Sequence, residues 1–264
     1  MNRRKYLLGV GGLGALAGCT SNSETTVNED VPESVAWPSV ETGNSWHRAR
    51  QRSARYERET LGINVTAFER TRVYENAALR KRIEKQTLGQ FEGSLASFFA
   101  SHIDLRGSAT VAASSGKISE LVAPKFREQL GSHGVENVEE VEAISPKPDV
   151  GGLQAVFKEY RGAYPTPKIE KTVHIDGVGK RRISAEAREL PVAGFYAVWK
   201  DGTGTAYAAG GAYPAENFSE EETISLSASK GEGVDLVVRV NLEFGPEQLR
   251  EELVSLVEGV QAEG

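Results

Sequence analysis

The fold turns on one stretch, Val192-Ala193-Gly194-Phe195-Tyr196-Ala197-Val198-Trp199-Lys200, Asp201-Gly202-Thr203-Gly204, Thr205-Ala206-Tyr207-Ala208-Ala209-Gly210-Gly211. The outer two blocks read as strands. The middle block reads as a hairpin turn, its glycines supplying the positive φ that such turns require. Two strands joined by so short a connection are antiparallel neighbours.

Working outward, the same extended character recurs at Val138–Ile144, Leu153–Tyr160, Ile169–Ile175, Ile183–Leu190 and Val234–Phe244. Nearer the N-terminus, Arg55–Glu59 and Ile63–Tyr74 read as two strands around Leu61-Gly62, with Ile63, Val65, Ala67 and Val73 interleaved with polar residues. Ala77–Gln86 is rich in helix formers and places Leu79 and Ile83 one turn apart. Lys117–Leu130 carries Ile118, Leu121, Val122, Phe126 and Leu130 at helical spacing around Pro124, with Gly131 and Gly134 beyond. Ser94–Leu105 fits both a helical face and a doubly buried strand. The clearest helix is Pro246–Val260: proline in its first turn, acidic residues toward its start, and an apolar stripe of Leu249, Leu253, Leu256, Val257 and Val260. There are too few helices for alternating βα units. The expected fold class is therefore α+β, a meandering and mostly antiparallel sheet covered by two or three helices, one of them C-terminal and amphipathic.

The N-terminus reads as a sorting signal. Arg3, Arg4 and Lys5 precede an apolar, glycine-rich run from Tyr6 to Ala17, and the chain's single cysteine, Cys19, follows. Asn2-Arg3-Arg4-Lys5-Tyr6-Leu7 has the order of a twin-arginine export signal, and Leu16-Ala17-Gly18-Cys19 that of a lipobox. The run is shorter than the roughly 20 apolar residues a bilayer-spanning helix needs. Cys19 has no second cysteine to pair with, so lipid attachment is its expected chemistry. Gly9, Gly11 and Gly14 match a dinucleotide-binding spacing, but no strand precedes them and no nucleotide site is expected there. Three parts follow: a cleaved signal at 1–18, a lipidated cysteine and disordered tether at 19–36, and one α+β domain at 37–264. The tether expectation rests on the low hydrophobicity and acidity of Thr20–Ala36.

The formal charge is −6, from 31 basic and 37 acidic residues; loss of residues 1–18 leaves 28 basic against 37 acidic, or −9. No nucleic-acid partner is expected. Charge is unevenly placed. Asn44–Gln90 holds eleven basic residues against five acidic, among them Arg48, Arg50, Arg52, Arg55 and Arg58, whereas Ala215–Gly264 holds twelve acidic against three basic. The arginine run admits two readings: the solvent face of an edge strand, or a surface resting on anionic head groups with Trp46 and Tyr56 at the interface.

Two echoes bear on function. Gly162-Ala163-Tyr164-Pro165 recurs as Gly211-Ala212-Tyr213-Pro214, which reads as proline ending two strands or as a duplicated half-domain. His102-Ile103-Asp104 recurs as His174-Ile175-Asp176. Residues two apart on a strand share a face, so each pair presents an imidazole beside a carboxylate. Brought together, the four would form a His-and-carboxylate metal site; apart, they are ordinary strand residues. No nucleophile elbow, P-loop, zinc motif or EF-hand loop is present, so no cofactor is expected. Asn64-Val65-Thr66 and Asn217-Phe218-Ser219 are N-glycosylation sequons. The aromatic group Tyr164, Tyr196, Trp199, Tyr207 and Tyr213 serves either as core or as a ligand surface.

The leader Gly-Gly-Leu-Gly-Ala-Leu-Ala-Gly-Cys (Gly11 to Cys19), the acidic tether, the segment Gly210-Gly211-Ala212-Tyr213-Pro214 and the closing Leu256-Val257-Glu258-Gly259-Val260 together resemble haloarchaeal surface lipoproteins exported by the twin-arginine route. That resemblance implies a location, the outer face of the cytoplasmic membrane with the lipid on Cys19 as anchor. It implies no catalytic residues. The expected function is a lipid-anchored extracytoplasmic binding or accessory protein, partnered by a small ligand or an envelope protein. The competing expectations are a metal-dependent surface enzyme using His102, Asp104, His174 and Asp176, and a purely structural envelope protein.

Overall fold

The computed structural model describes residues 25–27, 30–60, 63–87, 89, 91, 93–107, 110, 113–143, 147–175, 179–202, 204–226 and 234–263. The expected signal at Arg3 and Arg4, the anchor at Cys19 and Asp176 lie outside them.

The elements run β1 (Thr25–Val27), β2 (Pro38–Ser39), β3 (Trp46–Thr60), β4 (Ile63–Asn76), α1 (Ala77–Gln86), β5 (Ser97–Arg106), α2 (Ser115–Ser132), β6 (Glu136–Val141) and β7 (Ala155–Pro165). They continue with β8 (Ile169–Ile175), β9 (Gly179–Ala185), β10 (Glu189–Asp201), β11 (Thr205–Pro214), β12 (Phe218–Leu226), β13 (Val234–Leu242), α3 (Pro246–Glu258) and β14 (Gln261–Ala262). The fold is α+β. Its main sheet has the order β1-β3-β4-β5-β11-β10-β7-β6, antiparallel throughout except for β1, which lies parallel to β3. Hairpins β8–β9 and β12–β13 and the pair β14–β2 form three small sheets.

The sheet is two meanders joined in the middle, where β5 pairs with β11 instead of its sequence neighbour. The hairpin β10–β11 therefore lies at the centre, with Gly202 at φ 80 in its turn. From Val192 to Trp199 every residue is buried, as is every residue from Ala206 to Pro214. Burial on both faces explains why these strands lack polar alternation. Helices cover both faces. Leu79 and Ile83 of α1 and Leu249, Leu253 and Val257 of α3 pack with Phe98, Phe195 and Trp199 on one face, hereafter the α3 face. Ile118, Phe126 and Leu130 of α2 pack with Tyr160, Tyr196 and Val198 on the other, the α2 face. Glycines let both helices approach: a Cβ on Gly194 would lie 3.1 Å from Phe126 Cζ, and one on Gly211 would lie 2.7 Å from Leu253 Cδ2.

Helix starts are set by local chemistry. The Asn76 side chain accepts from Leu79 N at 2.9 Å, and Ser114 caps α2 through Lys117 N at 3.3 Å. Pro246 opens α3 after Gly245, which holds φ 70. A buried ion pair fixes α3 to the sheet: Glu159 of β7, fully buried, accepts from Arg250 at 3.1 Å through each oxygen, and Arg250 also donates to Tyr213 Oη at 3.1 Å. Breaking such a pair strands a charge in the interior.

Several boundaries differ from expectation. Ser97–Arg106 is a strand. Beyond β8 the strand runs Gly179–Ala185, and β12 occupies a stretch where Glu220-Glu221-Glu222 hides the extended pattern. Packing also reaches into the expected tether, where Val35 is 1% exposed. The two Gly-Ala-Tyr-Pro segments end β7 and β11, the strands flanking β10, so each proline closes a ladder.

Candidate functional site

The sequence-selected residues disperse. His102 is buried in β5 between Arg70 of β4 and Tyr207 of β11, with its ring 5.2 Å from the Tyr207 ring. Burial holds its pKa below the ordinary value, Asp104 opposing and Arg70 adding to the shift. Asp104 is paired with Arg106 at 2.8 Å. His174 is exposed on hairpin β8–β9, in a separate sheet. Among the described residues no group of three or more histidine, cysteine or acidic side chains gathers to hold a metal.

Tyr196, Trp199, Tyr207 and Tyr213 are buried, so the aromatic group is core and not a ligand surface. Asn64 lies in β4, and exposed Asn217 uses Oδ1 to accept from Phe244 N at 2.8 Å and Gly245 N at 3.2 Å. No described helix is long and apolar enough to cross a membrane.

The arginine run forms neither a single solvent face nor an aromatic-edged interface. Trp46 is buried and donates to Glu252 Oε2 at 3.1 Å. The register of β3 against β4 shifts between Arg48 and Arg50, so that Arg48 pairs with Tyr74 and Arg50 with Val73. A bulge of this kind reverses the side to which following residues point. Arg55, opposite Phe68, shares the α3 face; Arg50 and Arg52 turn to the α2 face.

On that face Arg52 and Tyr56 of β3, Glu69 and Thr71 of β4, Ser101 of β5 and Lys125 of α2 form a polar cluster. Arg52 is 9% exposed, and its Nη2 donates to Tyr56 Oη over a long 3.4 Å. Its Nη1 is buried with no hydrogen-bond partner among the described residues. Lys125 of α2 holds Nζ 3.9 Å from the centroid of the Tyr56 ring. Burial lowers the Lys125 pKa; Glu69 and Glu128 oppose this and Arg52 adds to it. Glu69, also buried, is occupied by neutral hydroxyls: Tyr56 Oη donates to one oxygen at 3.0 Å and Thr71 Oγ1 to the other at 3.1 Å. Thr71 continues to Ser101 at 2.7 Å. Tyr56 thus stands between the buried carboxylate and the two cations. His133 at the end of α2 is driven down to about 4 by burial, partly offset by its bond to Gln129 O, with nearby Arg50 adding to the fall.

Chemically, the cluster holds hydrogen-bond donors and positive charge without a nucleophile–base pair. The sequence signal for half of it was present in the alternation of Arg50 and Arg52. Lys125 gave none, since one lysine on the polar side of a helix is unremarkable until α2 is laid over β3.

The chain belongs to the family described as Domain of unknown function (DUF6517), which matches residues 31–261. No curated protein and no solved structure matches it.

Proposed function

We propose that the protein is a lipid-anchored binding or accessory module on the outer face of the cytoplasmic membrane, exported folded by the twin-arginine route and without catalytic activity of its own. The observation that supports the binding role is the polar cluster beneath Lys125 of α2, in which Arg52, 9% exposed, keeps its Nη1 without a hydrogen-bond partner among the described residues. Such a donor is costly to bury unless something else accepts from it. Support for the location comes from Arg3, Arg4 and the lone Cys19 in signal and lipobox order. Strand β1 begins at Thr25, six residues after Cys19, and pairs with β3, so an anchor at Cys19 would hold the domain close to the bilayer.

Two measurements test this. Cell fractionation should find the wild-type chain in membranes and Cys19→Ser in the soluble extracytoplasmic fraction, with Arg3→Lys plus Arg4→Lys retained inside the cell. A wild-type chain that stays soluble sinks the anchor. A thermal-shift screen of the full chain against small metabolites, anions and divalent metals should show stabilisation by a non-metal ligand. Stabilisation by metals alone would overturn the reading of the protein as a binder of a non-metal ligand.

A further inference from the structure

We propose that Asn217 is an N-glycosylation site, modified on the outer face of the membrane after the chain has folded. This rests on the folded export proposed above and is independent of the polar cluster. Asn217-Phe218-Ser219 is an acceptor sequon, which a transferase reads through the asparagine amide and the hydroxyl two residues on. The folded chain presents both. Asn217 and Ser219 are exposed, while Phe218 between them is 6% exposed and packs in the core of the α3 face. Residues two apart in an extended segment share a side, so burial of Phe218 turns the two recognised groups outward together. The amide is also oriented. Its Oδ1 accepts from Phe244 N at 2.8 Å and Gly245 N at 3.2 Å, which only the oxygen can do, and Nδ2 is left with no acceptor among the described residues.

The reaction leaves that anchorage intact. A saccharide carried on a lipid phosphate is transferred by a membrane glycosyltransferase. Its anomeric carbon bonds to Nδ2, the bond from that carbon to the phosphate oxygen breaks with its electron pair leaving on the lipid phosphate, and one Nδ2 proton passes to a base of the transferase. Nothing is oxidised or reduced. The product is still an amide, so Oδ1 keeps its bonds to Phe244 N and Gly245 N, just ahead of Pro246 at the start of α3. The second sequon, Asn64-Val65-Thr66, differs. Thr66 is half-buried and pairs on both sides, with Glu57 of β3 and Arg106 of β5. Ser219 pairs on one side only, with Asn241 in a two-stranded sheet. A transferase that meets the native chain therefore has readier access to Asn217.

Mass spectrometry of the full chain, isolated from the membranes of the cells that make it, tests the site. The peptide holding Asn217 should carry a saccharide mass in the wild type and in Ser219→Thr, and should lose it completely in Ser219→Ala. Asn217→Asp should lose it too, while its carboxylate still accepts from Phe244 N and Gly245 N. Circular dichroism should show both unmodified variants folded as the wild type, so that the lost mass reports the sequon and not misfolding. Arg3→Lys plus Arg4→Lys, retained inside the cell, should also be unmodified. The site is overturned if the wild-type chain fractionates with membranes and its Asn217 peptide has the unmodified mass; the export reading then stands. It is overturned equally if a saccharide persists on Asn217 in Ser219→Ala, or if the saccharide found is on Asn64 alone. A wild-type chain found inside the cell and unmodified overturns the export reading and the site with it.

Discussion

Strands β3, β4 and β5 carry arginines on both faces, and the two faces treat them differently. On the α3 face Arg70 and Arg72 bracket the Trp37 ring, their guanidinium carbons 4.9 and 5.5 Å from its centroid. Their donors go to Pro32 O, Pro38 O and Glu263, so the residues before and just after the domain's main elements are strapped down over the sheet. Pairing of β14 with β2 completes the strap. On the α2 face Arg52 has a long bond to Tyr56 and a buried Nη1 without a partner. Identical residue types on neighbouring strands therefore differ: Arg70 and Arg72 close the fold, while Arg52 makes one long bond and keeps Nη1 without a partner among the described residues.

That contrast breaks most sharply at Arg72. Arg72→Met removes the bonds to Pro38 O and Glu263 and half of the Trp37 bracket, so unfolding in urea should show a loss of about 2–3 kcal/mol. A loss below about 0.5 kcal/mol would mean the strap contributes no stability. Trp37→Ala should follow at about 2 kcal/mol, and limited proteolysis should then cut within residues 30–39, because the segment keeps its polar contacts but loses the ring that both arginines grip. Arg52→Met should do far less, within about 1 kcal/mol in either direction without ligand. No bond shorter than 3.4 Å is lost with it, and an apolar side chain of similar length ends the cost of burying an unpartnered donor. A large loss from Arg52→Met would place that residue among the structural arginines and end its contrast with Arg72.

How much of this the sequence disclosed depends on whether the deciding contact is local. Ala77–Gln86 and Ile169–Ile175 have the bounds expected from the sequence, and the hairpin at Asp201–Gly204 forms, because propensity, apolar spacing and turn glycines all act within a few residues. Ser97–Arg106 could not be resolved from its own pattern. Its phenylalanines face opposite sides, Phe98 toward α3 and Phe99 toward α2, and only pairing with β11, a hundred residues later, makes both burials possible. The arginine run was misread for a similar reason. Its alternation is visible, but the bulge that separates Arg48 from Arg50 is a property of the β3–β4 register and leaves no mark in composition. His102 and Asp104 do share a side, as their spacing requires, and the field of Asp104 acts on His102. Bringing them to His174 was never a local question.

The smallest effect expected distinguishes the two faces by acid. Each holds a histidine near an arginine, His102 beside Arg70 and His133 beside Arg50, and burial lowers both. Asp104 opposes the fall at His102, whereas at His133 the opposing influence is a hydrogen bond to Gln129 O, and that imidazole reaches about 4. A histidine whose folded value lies below its unfolded one binds its proton first in the unfolded chain. Stability is thus fully present above about pH 6.5 and is lost as the pH falls toward the folded value. Between pH 7 and pH 6 only the unfolded His133 titrates appreciably, which costs about 0.7 kcal/mol. Urea unfolding at the two pH values should show this loss in the wild type, most of it removed by His133→Gln and less by His102→Gln. Equal recovery from the two variants would show that the carboxylate beside His102 does not separate the faces, and that burial alone sets how each responds to acid.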